Sequence, residues 1–424
     1  MLTTGSTTNW AGNVAFSAAR VHRPATVEEV QRLVASAQKV RALGSGHSFN
    51  RIADTSGDLI RLDGLPPAME IDSRRSTVTV AAGLRYAEVA ERLHAAGYAL
   101  ANMASLPHIS VAGCCATGTH GSGSARQGLA SSVAGLHIVG PEGEPVELRR
   151  ENPDDRLDGT VIGLGALGIV TGVTLDIEPA YEVAQSVCTG LPMDRLAADV
   201  EAVFGAAYSV SVFTDWHAET AMVWLKQRTD RQEPGTDALR RLGAREAGRP
   251  FHPIAGMPPE FCTEQLGVPG PWHRRLPHFR QDFTPSTGEE LQSEHLLPRT
   301  AAPAAFDALR RLGPRIAPVL QTSEIRTVAG DDLWLSPCHG RDTVAVHCTW
   351  VKDTDAVTPV LAAMEEQLMP LGARPHWGKL TTVPQHHLPA LYERSADFRQ
   401  LLLDRDPAGK FRNAFVDGLF PGTA

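Results

Sequence analysis

Three groups of residues in this chain have types and spacings that could do chemistry. The first is Leu43-Gly44-Ser45-Gly46-His47-Ser48-Phe49-Asn50, where a strand-like run from Val40 ends in a turn of small residues. Glycine permits positive φ and lets another molecule approach the backbone closely. Amide N–H groups exposed in such a turn can cradle a pyrophosphate, and a histidine placed there lies against whatever the loop holds. The second group is Ala104-Ser105-Leu106-Pro107-His108-Ile109-Ser110-Val111-Ala112-Gly113, which runs into Ala116-Thr117-Gly118-Thr119-His120-Gly121-Ser122-Gly123. The third comprises Ser323-Glu324-Ile325-Arg326-Thr327, Val346-His347-Cys348-Thr349-Trp350 and Arg374-Pro375-His376-Trp377-Gly378-Lys379. On a strand, residues two apart share a face, so Glu324 faces with Arg326 and His347 with Thr349. Ionised groups on a buried sheet face are costly unless paired or used. A Glu–Arg pair on a solvated outer face is the competing reading.

Two other motifs point elsewhere. Gly163-Leu164-Gly165-Ala166-Leu167-Gly168 matches G-x-G-x-x-G. A Rossmann dinucleotide site needs a helix after that pattern, whereas Ile169-Val170-Thr171-Gly172-Val173-Thr174-Leu175 alternates like a strand. His47, His108 and His120 could be metal ligands, since imidazole binds transition metals readily. No carboxylate lies at ligand spacing and there is no His-Glu-x-x-His, so no metal is expected.

Composition bounds the answer. At 424 residues two domains are the default. The formal net charge of −8, without a Lys/Arg cluster, argues against a nucleic-acid partner. No apolar run approaches the roughly 20 residues of a membrane span, and Met1 to Gly12 shows no signal-peptide pattern. The six cysteines form no C-x-x-C pair, and Cys114 and Cys115 would point apart in extended chain. A reducing cytoplasm is expected.

These residues need elements to hold them. Thr26-Val27-Glu28-Glu29 reads as a capping box opening a helix through Ala37. Val40–Leu43, Leu59–Leu62 and Thr77–Val80 read as strands. Tyr86–Ala96 is an amphipathic helix stopped by Gly97. Leu136–Val139 and Val146–Leu148 make a hairpin, and Val170–Ile177 a strand. Residues 230 to 300, rich in Pro, Gly, His and Arg, read as irregular segments between helices. Strands over Val319–Val328 and Thr343–Val351 follow, then a helix over Val357–Met369.

The two histidine-bearing loops resemble the FAD site of the vanillyl-alcohol-oxidase type of flavoprotein. There Gly-Ser-Gly-His-Ser attaches the flavin 8α-methyl covalently to histidine. With Met103–Ser110, Glu324-Ile325-Arg326, His347-x-Thr349-Trp350 and His376-Trp377-Gly378-Lys379, the chain from Asn9-Trp10 to Phe415 resembles the alditol (xylitol/sorbitol) oxidases of that type. The tail Asp406-Pro407-x-Gly409-x-Phe411-x-Asn413 is shared more widely with sugar-lactone oxidases. Cys114-Cys115 departs from the small pair, such as Ser-Val, expected there.

The resemblance implies an α+β, two-domain FAD-binding fold with an antiparallel-sheet substrate (cap) domain. Residues 1–181 would bind FAD, 182–380 would form the cap, and 381–424 would return to the FAD domain. FAD would be held covalently through His47. Its other contacts would be Gly44, Ser45, Gly46, Ser48, Phe49, Ala104, Ser105, Ser110, Val111, Gly113, Gly118, Thr119, His120, Gly121, Gly168, Ile169, Val170 and Asn413. The implied reaction takes the primary hydroxyl of an alditol to the aldose, with hydride to flavin N5 and O₂ reduced to H₂O₂. Lys379 and Arg326 would stabilise the developing alkoxide and His347 would accept the proton, although the split among these three stays open. Glu324 would orient Arg326 and bind hydroxyls, with Ser105 and Thr349 adding hydroxyl contacts. Ala104 would leave room for O₂. The expected partners are a small polyol and O₂, with no nucleic acid and no membrane, and the chain is expected to act as a monomer. The alternatives are an aldonolactone oxidase or dehydrogenase on the same fold, an NAD-dependent dehydrogenase resting on Gly163–Gly168, or a non-catalytic flavin carrier.

Overall fold

Thr26 caps the first helix, Val27–Ser36, its hydroxyl accepting the Glu29 N–H at 3.2 Å. Glu29 reaches back to the amide of Ala25, one residue before the cap expected from the sequence. Val30 and Val34, one turn apart, are buried. The second helix, Tyr86–Ala95, buries Tyr86, Val89, Ala90 and Leu93. Its chain leaves through Gly97 at φ +85°, a conformation that favours glycine. This computed structural model describes residues 7–282 and 288–421. The outermost ends of the expected FAD-binding segments, and residues 283–287 of the expected cap, lie outside the described residues.

The first part of the chain builds two sheets. Arg20–His22, Asp58–Arg61 and Val40–Leu43 form a parallel sheet with Asp58–Arg61 in the middle. Met69–Asp72, Thr77–Ala81, Ile169–Asp176, Val133–Val139 and Pro145–Arg149 form an antiparallel one, in that order. The chain's end closes on this unit. The Val40 amide donates to the Lys410 carbonyl at 3.0 Å, and the Asn413 side chain donates to the carbonyls of Ile52 and Asp54. The helices Ser395–Arg405 and Ala414–Leu419 share one apolar core with Tyr86, Val89 and Leu93.

The middle of the chain forms a nine-stranded sheet whose pairings are all antiparallel. Ser209–Thr214, Leu320–Val328, Thr343–Trp350 and Leu291–Pro298 lie side by side at its centre. Alternation divides the faces. Ile325, Val344, Val346, Cys348 and Trp350 join Phe306 and Met364, from the helices Ala302–Ile316 and Thr354–Leu368, in a second core. The opposite face carries Gln292, Glu294, Glu324, Arg326, His347 and Thr349, all buried. The solvated-face reading of the Glu–Arg pair is therefore wrong.

Two further expectations are corrected. The stretch expected to be irregular, 230 to 300, contains the central strand Leu291–Pro298. Cys114 and Cys115 are in the short helix Val111–Ala116 rather than in extended chain. No strand-then-helix unit surrounds Gly163–Gly168, because Gly168 leads directly into the strand Ile169–Asp176.

Candidate active site

The loop after Val40–Leu43 is held from two sides. Gly44 has no room for a Cβ, which would sit 2.2 Å from Ser110 Oγ. That close approach lets the two loops exchange bonds, Ser45 N to Ser110 Oγ at 3.3 Å and Ser110 N to Ser45 Oγ at 3.1 Å. Gly46 adopts φ +72° and its carbonyl accepts the Trp10 N–H at 2.8 Å. Asn9 and Asn13 donate to the carbonyls of Ser48 and Phe49. On the other side, the Phe49 amide donates to the Gly378 carbonyl at 2.7 Å, and Asn50 Nδ2 to the carbonyls of Trp377 and Lys379. The His47 loop and the Lys379 loop are thus one hydrogen-bonded unit.

Trp10 stacks on the His47 imidazole at 4.9 Å. His47 Nδ1 is buried and has no hydrogen-bond partner. Burial, aided by His108 and Arg85, lowers the ring's pKa to about 4, so the imidazole is neutral at pH 7.

Across from this loop stands the polar face of the large sheet. Glu294, His347 and Glu324 face one another in one cross-strand row, and Gln292, Thr349 and Thr322 in the next. Glu294 is shared by three groups. Arg326 Nη2 lies 2.5 Å from Oε1, Lys379 Nζ 2.8 Å from Oε2, and His120 Nε2 3.2 Å from Oε1. Lys379 reaches it because its segment is pinned to that same strand, by His376 N to the Glu294 carbonyl and Leu380 N to the Gln292 carbonyl. Burial alone would raise the Glu294 carboxyl, but Lys379, Arg326 and His120 together hold it well below the ordinary value. Glu324 behaves likewise, with Arg326, His278 and His347 outweighing burial. Both carboxylates are ionised. Burial draws Lys379 below the ordinary lysine value, with Glu294 opposing. Glu324 and Glu294 keep Arg326 raised against burial. His347 is pushed well down, by burial first and then by Lys379, and neither of its ring nitrogens has a hydrogen-bond partner.

A continuous cavity joins the two halves. Its wall includes Gly44 to Phe49, Ala104, Ser105, Ser110, Gly113, Thr119 and His120 from the expected cofactor set. The sheet contributes Glu294, Glu324, Arg326, His347 and Thr349, and Lys379 completes it. Ser105 Oγ lies 3.5 Å from both Glu324 Oε2 and Arg326 Nη1. Arg41 also lines the cavity. This fully buried guanidinium donates through its Nη atoms to the carbonyls of Phe411, Leu164 and Ile52, which do not cancel its charge, and its Nε has no hydrogen-bond partner.

Some expected contacts lie off this wall. Val111 and Ile169 are in apolar cores, and Val170 packs against one. Gly168 abuts Ile138, Gly118 abuts Pro337, and Gly121 abuts the Asn102 side chain and the Met103 carbonyl. Asn413 caps the helix Ala414–Leu419 and ties down the carbonyls after Asn50. Leu164 and Gly165, a few residues earlier, line the cavity in place of Gly168 to Val170. Cys114 does line it, although burial pushes its thiol well above the ordinary value.

Sequence reasoning missed Glu294 and His278. Glu294 is in a strand with little β-branched character, and His278 in a stretch with no regular element. A glutamate next to a histidine inside Leu-Gln-Ser-Glu-His-Leu-Leu was the available signal for the first. Among the described residues no group of three or more His, Cys, Asp or Glu could hold a metal, and no helix is long and apolar enough to cross a membrane.

Residues 18–149 match the FAD binding domain family, and residues 289–419 match the D-arabinono-1,4-lactone oxidase family. The chain is 54% identical to an alditol oxidase from Streptomyces sp. (strain IKD472 / FERM P-14339), over 98% of this chain and 99% of that one. It is 29% identical to an L-gulono-1,4-lactone dehydrogenase from Mycobacterium tuberculosis, over 88% and 89% of the two chains. The crystal structure of cholesterol oxidase from B. sterolicum superposes with a TM-score of 0.77 at 16% identity, covering 99% of this chain and 97% of that one, a likeness of fold alone.

Proposed function

This chain belongs to the alditol oxidase family of FAD-dependent oxidoreductases, and from that premise we propose that its cavity oxidises the primary hydroxyl of an open-chain polyol. The observation that carries the reading is His347. It is a neutral, buried imidazole with both ring nitrogens free, set between two carboxylates and beside two cations. A free ring nitrogen there can accept a hydroxyl hydrogen; the lowered pKa makes the ring a weak base, and Lys379 and Arg326 offset that by stabilising the alkoxide that results. Glu294 holds the two cations together on one carboxylate, so that their N–H groups converge. Ser105, Thr349 and Glu324 offer hydrogen bonds to the remaining hydroxyls.

The residues present fit FAD. The two interlocked loops approach too closely for a Cβ at Gly44, and the uncancelled charge of Arg41 suits an anionic group. FAD, when bound, would supply the hydride acceptor and the route by which the electron pair reaches O₂ to give H₂O₂. The covalent link is assigned to His47, whose neutral imidazole keeps a lone pair for a bond to carbon and whose loop lines the cavity.

Aldonolactone oxidation is the second reading, favoured by the family matched over residues 289–419 and by the 29% identical L-gulono-1,4-lactone dehydrogenase. Anaerobic titration separates the two. Xylitol or sorbitol should bleach the yellow protein, and air should restore its colour. Bleaching by L-gulono-1,4-lactone and by no alditol would establish the second reading.

A further inference from the structure

On the same face of the sheet, beside Glu324, are two buried groups that the reaction above does not use, Lys226 and His278. Lys226, on the strand Thr220–Arg228, is 1% exposed. Its amine donates to the Leu276 carbonyl and contacts His278 Nδ1 at 2.9 Å. The other ring nitrogen, Nε2, lies 2.7 Å from Glu324 Oε1.

The proton positions follow from the partners. Ionised Glu324 can only accept, so Nε2 carries the hydrogen. The ring is neutral, because burial and Lys226 lower its pKa to about 4, and Nδ1 therefore presents a lone pair to Lys226. Packing fixes the imidazole as well. Trp224 and Phe213 stand edge-on to it at 5.2 and 5.4 Å. The His278 amide donates to the Ser105 carbonyl at 3.1 Å. Glu324 Oε1 is thereby engaged, while Oε2 faces Ser105 Oγ and the cavity. Without His278, the nearest cation to that carboxylate is Arg326, whose Nε is 3.6 Å from Oε1.

We propose that Lys226 and His278 form a buried relay that positions Glu324, engaging Oε1 so that Oε2 is left to accept a polyol hydroxyl. The inference rests on the reading of Glu324 as a polyol-binding group. Losing the relay would let the carboxylate turn Oε1 towards Arg326 Nε and misplace the Oε2 acceptor. His278 and Lys226 are positioning residues, since they act through Glu324.

The test is steady-state kinetics on xylitol with flavin-loaded wild type, His278→Leu, His278→Gln, Glu324→Gln and the His278→Leu/Glu324→Gln double variant. His278→Leu should raise KM about tenfold with kcat held within about threefold. His278→Gln, whose amide retains an N–H donor, should recover most of that loss. The double variant should be no worse than Glu324→Gln alone, because the two substitutions remove one interaction. Where His278→Leu does not load flavin, Lys226→Met carries the same comparison. Full additivity, or His278→Gln as impaired as His278→Leu, would overturn the relay. A wild-type KM for Glu324→Gln would instead overturn the reading of Glu324 on which it rests.

Discussion

Lys379 Nζ lies 2.8 Å from Glu294 Oε2, on a carboxylate whose other oxygen is taken by Arg326. One buried anion thus gathers two cations from different parts of the chain. Removing only that anion leaves Lys379 and Arg326 buried, close and repelling. Breaking a buried pair in this way typically costs roughly 3–5 kcal/mol. Glu294→Gln is expected to lower the melting temperature clearly and to reduce kcat/KM on xylitol at least about tenfold. Thermal melts and kinetics on the same preparation check both. A variant as stable and active as wild type would show that the cations do not depend on Glu294.

Lys379→Ala and Arg326→Ala should lose far more activity than fold. Each removes a charge aimed at the developing alkoxide, and such losses typically cost on the order of 10²-fold or more. Flavin content, read from absorbance, should persist because the glycine loops are untouched. Near-wild-type turnover of both variants on xylitol would place the reacting oxygen elsewhere.

The parts of this site that were legible in the sequence are those where local pattern and burial agree. Val344, Val346 and the alternating residues around them announce a strand, and Glu324 and Arg326 are conspicuous on the strand beside it. The loops Gly44–Phe49 and Ala104–Gly113 announce themselves through glycine and small residues. Leu291–Pro298 was illegible because both of its faces are buried for different reasons: Glu294 serves the cavity, while His295, on the opposite face, pairs with Glu365 at 3.0 Å. With polar residues on both faces, no period-2 alternation survives. His278 has its role only through tertiary contacts with Lys226 and Glu324, some 50 residues away on either side, which no local pattern encodes. Conversely, Gly168 and Val111 looked like cofactor contacts through their motifs, but packing claims them.

Peptide mass mapping is expected to find one flavin adduct, on the peptide containing His47. Cys114 also lines the cavity, but its raised pKa keeps it a thiol, and the thiolate is the nucleophile. Flavin on the Cys114 peptide, or flavin released from the wild type by acid precipitation, would contradict the His47 assignment.

Acid should destabilise the protein in two windows. Burial holds His278 and His376 neutral, at about 4 and about 3 against an ordinary 6.5. Between those values the unfolded chain binds more protons than the native one, so stability rises with pH and is lost as pH falls from about 6.5 towards 4. Glu294 and Glu324, held well below 4.5, add a loss that starts beneath that value. Melting temperatures from pH 7 to 4 should therefore decline steadily, and His278→Gln should flatten the limb between 6.5 and 4. An unaltered slope would mean that His278 is not held neutral in the native state.

The central claim is that the cavity's polar groups recognise an open-chain polyol at a flavin. Ser105, Glu324, Arg326, His347, Thr349 and Lys379 can all hydrogen-bond, and each buried group left unpaired costs roughly 1–3 kcal/mol, about 5- to 150-fold in affinity. The direct test is peroxide release under identical conditions with xylitol, sorbitol, glycerol, 1-propanol and L-gulono-1,4-lactone. The predicted result is a progressive fall in kcat/KM from the five- and six-carbon alditols to glycerol and then to 1-propanol, with one H₂O₂ per turnover and no effect of NAD. Equal rates for 1-propanol and xylitol, or a clear preference for the lactone, would contradict it.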